Sequence, residues 1–278
     1  MYNSIDMVLG SPFDYPLSSR MDENDAILVL DNVFVPWEDV FMHGDVEQAN
    51  SFAPGSGFNA RAAMHGCTRL AVKLDFITGL MVKALEITGT HTFHNIMSRM
   101  GEVIAWRNTM WGLSDAMAKS NVPWNGMVQP DGRFGTAYRT ISQIAYPAIK
   151  NIIEASVTSG LIYLNSHAND FLNPELRPFL DQYMRGSGGA DAEQRVKVMK
   201  LLWDSIGTEF GGRSELYEIN YLGSNDLTRL QNYWESISLG EMDRMKGLVD
   251  RCMSEYDLNG WTVPDLINND DVSILKSK

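Results

Sequence analysis

The sequence predicts a mainly α-helical fold, a four-helix bundle led in by a short strand-forming segment. Three observations carry this. From Arg61 onward apolar residues recur every three or four positions, β-branched and aromatic residues crowd "DAILVLDNVFVPWEDVF" (25–41), and turn-forming clusters separate the helical stretches. A strand-rich piece feeding such a bundle is an α+β layout.

In chain order, Ala26–Leu30 and Asn32–Val35 read as strands, the second ended by Pro36. Two or three strands are marginal alone. The rest of a β-domain is therefore expected to be missing from this chain or supplied by another one. Residues 1–50 read as the end of such a domain, 55–260 as the bundle and 261–278 as a polar, poorly ordered tail.

The first bundle helix is expected over about 62–88, on Leu70, Leu74, Ile77, Met81 and Leu85, with Gly89 as its stop. Ile96, Met100, Val103, Arg107 and Met110 mark a second over about 92–119. The Pro, Asn-Gly and Asp-Gly signals of "NVPWNGMVQPDGRFG" (121–135) make that stretch a loop. Pro147 is placed at the start or at a kink of a third helix, which Ile149, Ile152, Ile153 and Val157 carry to about Leu164. A short helix and a glycine-rich turn follow in 172–191, then a helix over Ala192–Ile206. After a break at "YLGSND" (221–226), Leu227–Tyr256 reads as the last long helix. There is no internal repeat.

The chain has 278 residues, 44% hydrophobic and 21% charged, ordinary proportions for a protein with a real core. Its formal net charge of −12 argues against nucleic acid or an anionic membrane as the main partner. Two cysteines, Cys67 and Cys252, are too few for a disulfide scaffold, a cysteine zinc site or an iron–sulfur cluster, so no metal is expected. Neither a signal peptide nor a run of 18 apolar residues is present, and the expected compartment is the cytoplasm.

The chemistry gathers in "RAAMHGCTRLAVKLDF" (61–76), where Arg61, His65, Arg69 and Lys73 recur at intervals of four. That spacing stacks side chains on one helix flank, where cations repel by a few tenths of a kcal/mol per pair, so an anion facing the row would turn a cost into a gain. The competing explanation is a plain solvated face. Against it, the row lies near the helix start, where the macrodipole favours anions, and follows the pliable "APGSGFN" (53–59). His65 brings an imidazole, a side-chain type able to donate or accept a proton, to that row.

"GTEFGGRSELYEINYLGSND" (207–226) is the second unusual stretch. A glycine pair, Gly211 and Gly212, before Arg213 and a helix would leave backbone N–H groups open to a phosphate, although an ordinary helix–helix turn explains the same residues. His91 and His94 imitate metal spacing but lack acidic or thiol partners in register, which leaves a surface or capping role; His43 and His167 stand alone. Ser18 and Ser19 have no base nearby in sequence to make a nucleophile.

Four stretches, "DYPLSSRMDENDAILVLDNVFVPWEDVF", "HGCTRLAVKLDFITGL", "GTEFGGRSELYE" and "DRCMSEYDLNGW", together resemble the oxygenase component of two-component, FAD-dependent phenol monooxygenases, the 4-hydroxyphenylacetate 3-monooxygenase family. The likeness runs from about Asp14 to Trp261. It implies an acyl-CoA-dehydrogenase-like architecture, of which this chain would hold the last strands of the middle β-domain and the C-terminal four-helix bundle. The family's N-terminal region, with much of the phenol pocket, has no counterpart here.

The resemblance also implies chemistry. A separate reductase supplies reduced FAD, which reacts with O2 to a C4a-hydroperoxyflavin, and this hydroxylates a phenol such as 4-hydroxyphenylacetate or a chloro- or nitrophenol. Reduced flavin and phenolate are both anionic, and fixed cations in a dry site favour them. Relatives place a histidine at the start of the first bundle helix, and His65 in "MHGCTR" matches it; Arg61 and Arg69 are added from spacing alone. Gly211, Gly212 and Arg213 match FAD-contacting loops in style, and Gly223, Ser224, Asn225 and Asp226 occupy a place where relatives touch FAD. A homotetramer built through the bundles is implied; Tyr217, Tyr221, Tyr233 and Trp234 suit its interface or the core equally.

Two alternatives stand beside this. 4-Hydroxybutyryl-CoA dehydratase, a distant branch of the same fold, needs several cluster cysteines where this chain offers Cys67. A non-catalytic fragment, or an assembly or flavin-binding subunit lacking the substrate domain, is the stronger one.

Overall fold

A computed structural model of the protein describes residues 10–21, 26–221 and 223–264. Those up to Arg229 form one compact unit and those from Leu230 a second.

The first unit is built on three long helices that pack pairwise: α2 (Phe58–Thr88), α3 (His94–Lys119) and α4 (Gly132–Val157). Helix α6 (Ala192–Ile206) covers α2 as the fourth member, and α7 (Glu209–Asn220) lies against both α4 and α6. The core is the stripe foreseen in the sequence: Leu70, Leu74, Met81 and Leu85 of α2 are buried with Val103, Met110, Ile149, Ile153 and Leu202. Truncating one such side chain to alanine costs about 2–5 kcal/mol. Helices α2 and α4 approach closely because glycines stand at the crossing. A Cβ on Gly66 would lie 2.9 Å from the Tyr138 hydroxyl, and one on Gly135 2.9 Å from the Ala63 Cβ.

Several boundaries differ from the sequence reading. Helix α1 (Val46–Gly55), capped by Asp45, takes in the start of the stretch read as a pliable lead. The loop expected over 121–135 holds a hairpin, β1 (Val122–Trp124) with β2 (Met127–Gln129). It turns at Asn125 and Gly126, both with positive φ, so the Asn-Gly signal marks a hairpin turn. Asp131 then caps α4, which starts inside the expected loop and runs through Pro147, so of the two places expected for that proline the helix start is excluded. Packing of the buried Tyr146 and Ile149 outweighs the backbone hydrogen bond that proline removes. Helix α5 (Arg177–Tyr183) is the short helix of 172–191.

The strands expected at Ala26–Leu30 and Asn32–Val35 are not formed: among the described residues this stretch pairs with nothing. Strand propensity needs a neighbouring strand to act on. Apart from the half-buried Pro36 and Val40, the side chains from Ile27 to Phe41 are instead exposed, Phe34 at 86% and Phe41 at 92%.

Ahead of them, residues 10–21 are strapped to α6 by two buried carboxylates. Asp204 Oδ2 accepts the N–H groups of Leu17 (2.7 Å) and Ser18 (2.9 Å), and its Oδ1 accepts the hydroxyls of Ser18 and Thr208. Asp14 pairs with Lys200 and accepts the Ala168 N–H at 2.9 Å.

The last long helix of the sequence reading is two. Helix α8 (Asn225–Ser238) ends at a turn where Gly240 has a φ of 69°, and α9 (Glu241–Met253) restarts there. Within the second unit, a hairpin of β3 (Tyr256–Asp257) and β4 (Gly260–Trp261) closes the described chain, and residues 265–278 of the expected tail lie outside the described residues. Trp234, Ile237, Leu248, Val249 and Met253 are exposed on its helices. No described helix is long and apolar enough to cross a membrane.

Candidate functional site

The cationic row of α2 is laid out by helix geometry alone: residues four apart fall on one flank. Arg61, His65 and Arg69 line one open cavity of about 590 Å³, with Met64, Thr68 and Val72 beside them on the helix and Pro130 opposite. Arg61 is fixed twice. Its Nη1 donates to the Ser56 carbonyl at 2.9 Å, and its guanidinium lies 4.2 Å from the centre of the Trp124 ring on the hairpin. His65 is exposed on the cavity wall.

The anion that faces the row from within the protein is a side chain absent from the sequence reading. Glu218 on α7 has no solvent exposure, and Arg69 Nη2 donates to both its oxygens at 3.1 and 3.2 Å. Lys73 Nζ donates to Glu218 Oε1 at 2.6 Å and to Ser214 Oγ at 2.8 Å. A carboxylate so deep is tolerable only with such partners. Ser214 and Glu218 are four apart on α7, as Arg69 and Lys73 are on α2. Two like-charged side chains in register on one helix call for an opposite charge on its neighbour, and that was the available clue.

Arg69 and Lys73 also border a second, more enclosed cavity of about 380 Å³. Phe76, Ile77, Phe210 and Tyr217 form apolar walls, and Leu17 of the strap contributes to its edge. Two buried tyrosines flank the ion group on α4. Burial, with the charge of Glu218 adding, pushes the hydroxyls of both Tyr138 and Tyr146 well above the usual tyrosine range, and the Tyr138 hydroxyl has no hydrogen-bond partner. Arg69 Nε is likewise buried without an acceptor.

Gly211, Gly212 and Arg213 do not form an open anion cradle. Helix α7 begins two residues before the glycine pair, with Thr208 as its cap. The Gly211 N–H donates to Thr208 Oγ1 at 3.3 Å and the Gly212 N–H to the Thr208 carbonyl at 2.8 Å, so both are already used. Gly211 is required by contact: a Cβ there would sit 2.7 Å from the Ile206 backbone. Arg213 is half-buried in the same turn.

Gly223, Ser224, Asn225 and Asp226 form the entry to α8. Gly223, with a φ of 113°, offers its carbonyl to Gln143 Nε2 at 3.0 Å, and Ser224 Oγ accepts the Leu227 N–H at 3.3 Å. Ser224, Asn225 and Asp226 are exposed. None of these seven residues lines either cavity, so Arg61, His65 and Arg69 are brought together while the two glycine segments stand apart from them.

Of the other histidines, His167 caps a 3₁₀ turn, its Nδ1 accepting the Asn169 N–H at 3.1 Å, and His94 opens α3. Cys67 is buried and donates to the Met110 carbonyl; burial pushes its thiol up to about 12, which makes it inert. Tyr221, Tyr233 and Trp234 are exposed, which removes the core as their place, while Tyr217 walls the enclosed cavity.

Residues 49–250 match the family described as 4-hydroxyphenylacetate 3-hydroxylase C terminal, and residues 2–42 match its N-terminal counterpart. The chain is 55% identical over 270 residues to the oxygenase component of 4-nitrophenol 2-monooxygenase from a Rhodococcus species, covering 97% of this chain and 52% of that protein. It is 54% identical over 275 residues to the 4-hydroxyphenylacetate 3-monooxygenase oxygenase component of Escherichia coli, covering 99% and 53%. A crystal structure of a 4-hydroxyphenylacetate 3-monooxygenase oxygenase component, complexed with FAD and 4-hydroxyphenylacetate, superposes with a TM-score of 0.80 at 29% identity, covering 89% of this chain and 52% of that one. The chain thus spans about half the length of the curated relatives it matches.

Proposed function

The chain belongs to the 4-hydroxyphenylacetate 3-hydroxylase family, and from that premise we propose that it supplies the helical part of the oxygenase component of a flavin-dependent phenol monooxygenase. The observation that carries the proposal is the open cavity on α2, where Arg61, His65 and Arg69 converge beside apolar Met64, Val72 and Pro130. Fixed cations against an apolar wall fit a planar anionic ring system, which is the chemistry of reduced FAD and of a phenolate. When bound, reduced FAD supplies the electrons that activate O2; a separate flavin reductase is its source.

In this reading Arg61, braced by Ser56 and Trp124, offers a charge that needs no reorganisation. Arg69 is held by Glu218 and lends the cavity only part of its charge. His65 holds or moves the phenol proton at its exposed imidazole. The exposed entry to α8 at Gly223–Asp226 is a place for the distal, phosphate-bearing part of the cofactor; Gly211, Gly212 and Arg213 support α7 instead. The exposed Tyr233 and Trp234 of α8 and the exposed Leu248, Val249 and Met253 of α9 suit assembly with further copies, a tetramer in the family pattern.

One fact favours a second reading, a flavin-binding or assembly subunit without turnover of its own: half of each relative's length has no equivalent in this chain. One experiment separates the two. The chain is titrated with chemically reduced FAD without oxygen, then mixed with O2 and 4-hydroxyphenylacetate or 4-nitrophenol, and hydroxylated product is quantified. Binding with product supports the oxygenase. Binding without product supports the subunit reading. No preference for reduced over oxidised FAD overturns the proposed role of the cavity.

A further inference from the structure

The enclosed cavity between α2 and α7 is unused by the proposal above, yet it is the better built of the two. We propose that it is a binding site for a small arene carboxylate, distinct from the flavin cavity and sharing Arg69 with it as a common wall.

The argument runs from charge, donors and shape. Two cations, Arg69 and Lys73, face one carboxylate, Glu218, so the group keeps one formal positive charge in excess at the polar end of the cavity. Its donors are not exhausted. Arg69 spends Nη2 on Glu218, while its buried Nε has no acceptor. Lys73 has three N–H bonds and two acceptors, Glu218 and Ser214. Away from this end the walls are apolar and largely aromatic: Phe76, Ile77, Phe210 and Tyr217. The volume of about 380 Å³ falls within the range of small-molecule sites. An apolar, ring-lined body with a single surplus cation selects a monoanion carrying an arene over a dianion, a cation or a sugar.

Isothermal titration calorimetry of the full chain with benzoate and with its neutral isostere benzamide, in the absence of flavin, tests the site independently of the monooxygenase reading. Saturable benzoate binding at least about tenfold tighter than that of benzamide is expected, since a charge-assisted pair is worth more than a neutral hydrogen bond. Two variants move the surplus charge in opposite directions. Glu218→Gln, an isosteric change that frees both cations, tightens benzoate about three- to tenfold; Lys73→Met weakens it at least about tenfold. A purely structural ion group would make both variants lose binding or leave both unchanged. Equal affinity for benzoate and benzamide, no saturable benzoate binding, or weaker or unchanged binding in Glu218→Gln overturns the proposal. The first two readings need no variant, so they hold whether or not Lys73→Met folds.

Discussion

Arg69 and Glu218, 149 positions apart, meet through a single guanidinium nitrogen that donates to both carboxylate oxygens, at 3.1 and 3.2 Å. Lys73 shares the same carboxylate, so α2 and α7 are joined by a charge group with Glu218 wholly out of water. Glu218→Ala leaves two cations without their counter-charge and one cavity wall without its brace. A loss of about 1–3 kcal/mol is expected, less than for a fully buried pair because Arg69 and Lys73 keep some contact with water. Urea denaturation of parent and variant measures it; a change below about 0.5 kcal/mol would remove the group from the fold's supports.

His65 is exposed and makes little contribution to packing. His65→Ala should therefore leave the thermal midpoint within about 2 °C of the parent. In a turnover-competent assembly it should lower phenol hydroxylation at least tenfold, the scale of a general acid–base contribution, while affinity for reduced FAD changes by less than about threefold. Product yield and anaerobic titration read the two effects separately. Equal turnover in parent and variant would exclude the imidazole from the chemistry.

Gly66 exists for Tyr138. In a helix, Gly→Ala ordinarily gains up to about 1 kcal/mol, but here the new Cβ would meet a fully buried, immobile ring. Gly66→Ala should destabilise by about 1–3 kcal/mol. Tyr138→Phe removes the atom at 2.9 Å, and with it a hydroxyl that has no partner. The double variant should recover most of the loss, a coupling that a double-mutant cycle in urea measures directly.

Acid should loosen the strap. Burial works against the Asp14 carboxylate, but Lys200 and the Ala168 N–H more than offset it and hold its pKa below the ordinary 3.8. A depressed carboxylate contributes stability that is complete above its unfolded value and is lost as pH falls from about 3.8 through the folded value. Denaturation midpoints of parent and Asp14→Asn should differ by a constant amount at pH 5–8 and converge below pH 4. A gap that stays constant to pH 2 would show that Asp14 does not titrate with unfolding.

The bundle was legible because its signals are local. Leu70, Leu74, Met81 and Leu85 repeat at helical spacing, Gly89 closes α2, and Ala192–Ile206 was read to the residue. What failed needed knowledge of neighbours. The residues from Ala26 to Val35 have strand composition and, among the described residues, no strand to pair with. Leu227–Tyr256 has one continuous apolar period, yet Gly240 with its positive φ divides it. At the site, four-residue spacing brought Arg61, His65 and Arg69 into one cavity, but the same logic gave no view of Glu218, whose place depends on how α7 lies on α2. Gly211 and Gly212 looked like an open cradle because sequence alone does not say that Thr208 starts the helix ahead of them.

The strap has a mechanical consequence. Between its attachment to α6 and the start of α1, the described residues from Ala26 to Gly44 make no core contact, while Asp14 and Asp204 clamp the segment on the other side. A protease that cuts this stretch would leave the segment ahead of the cut seated on α6, held by two acidic side chains instead of by the continuous backbone.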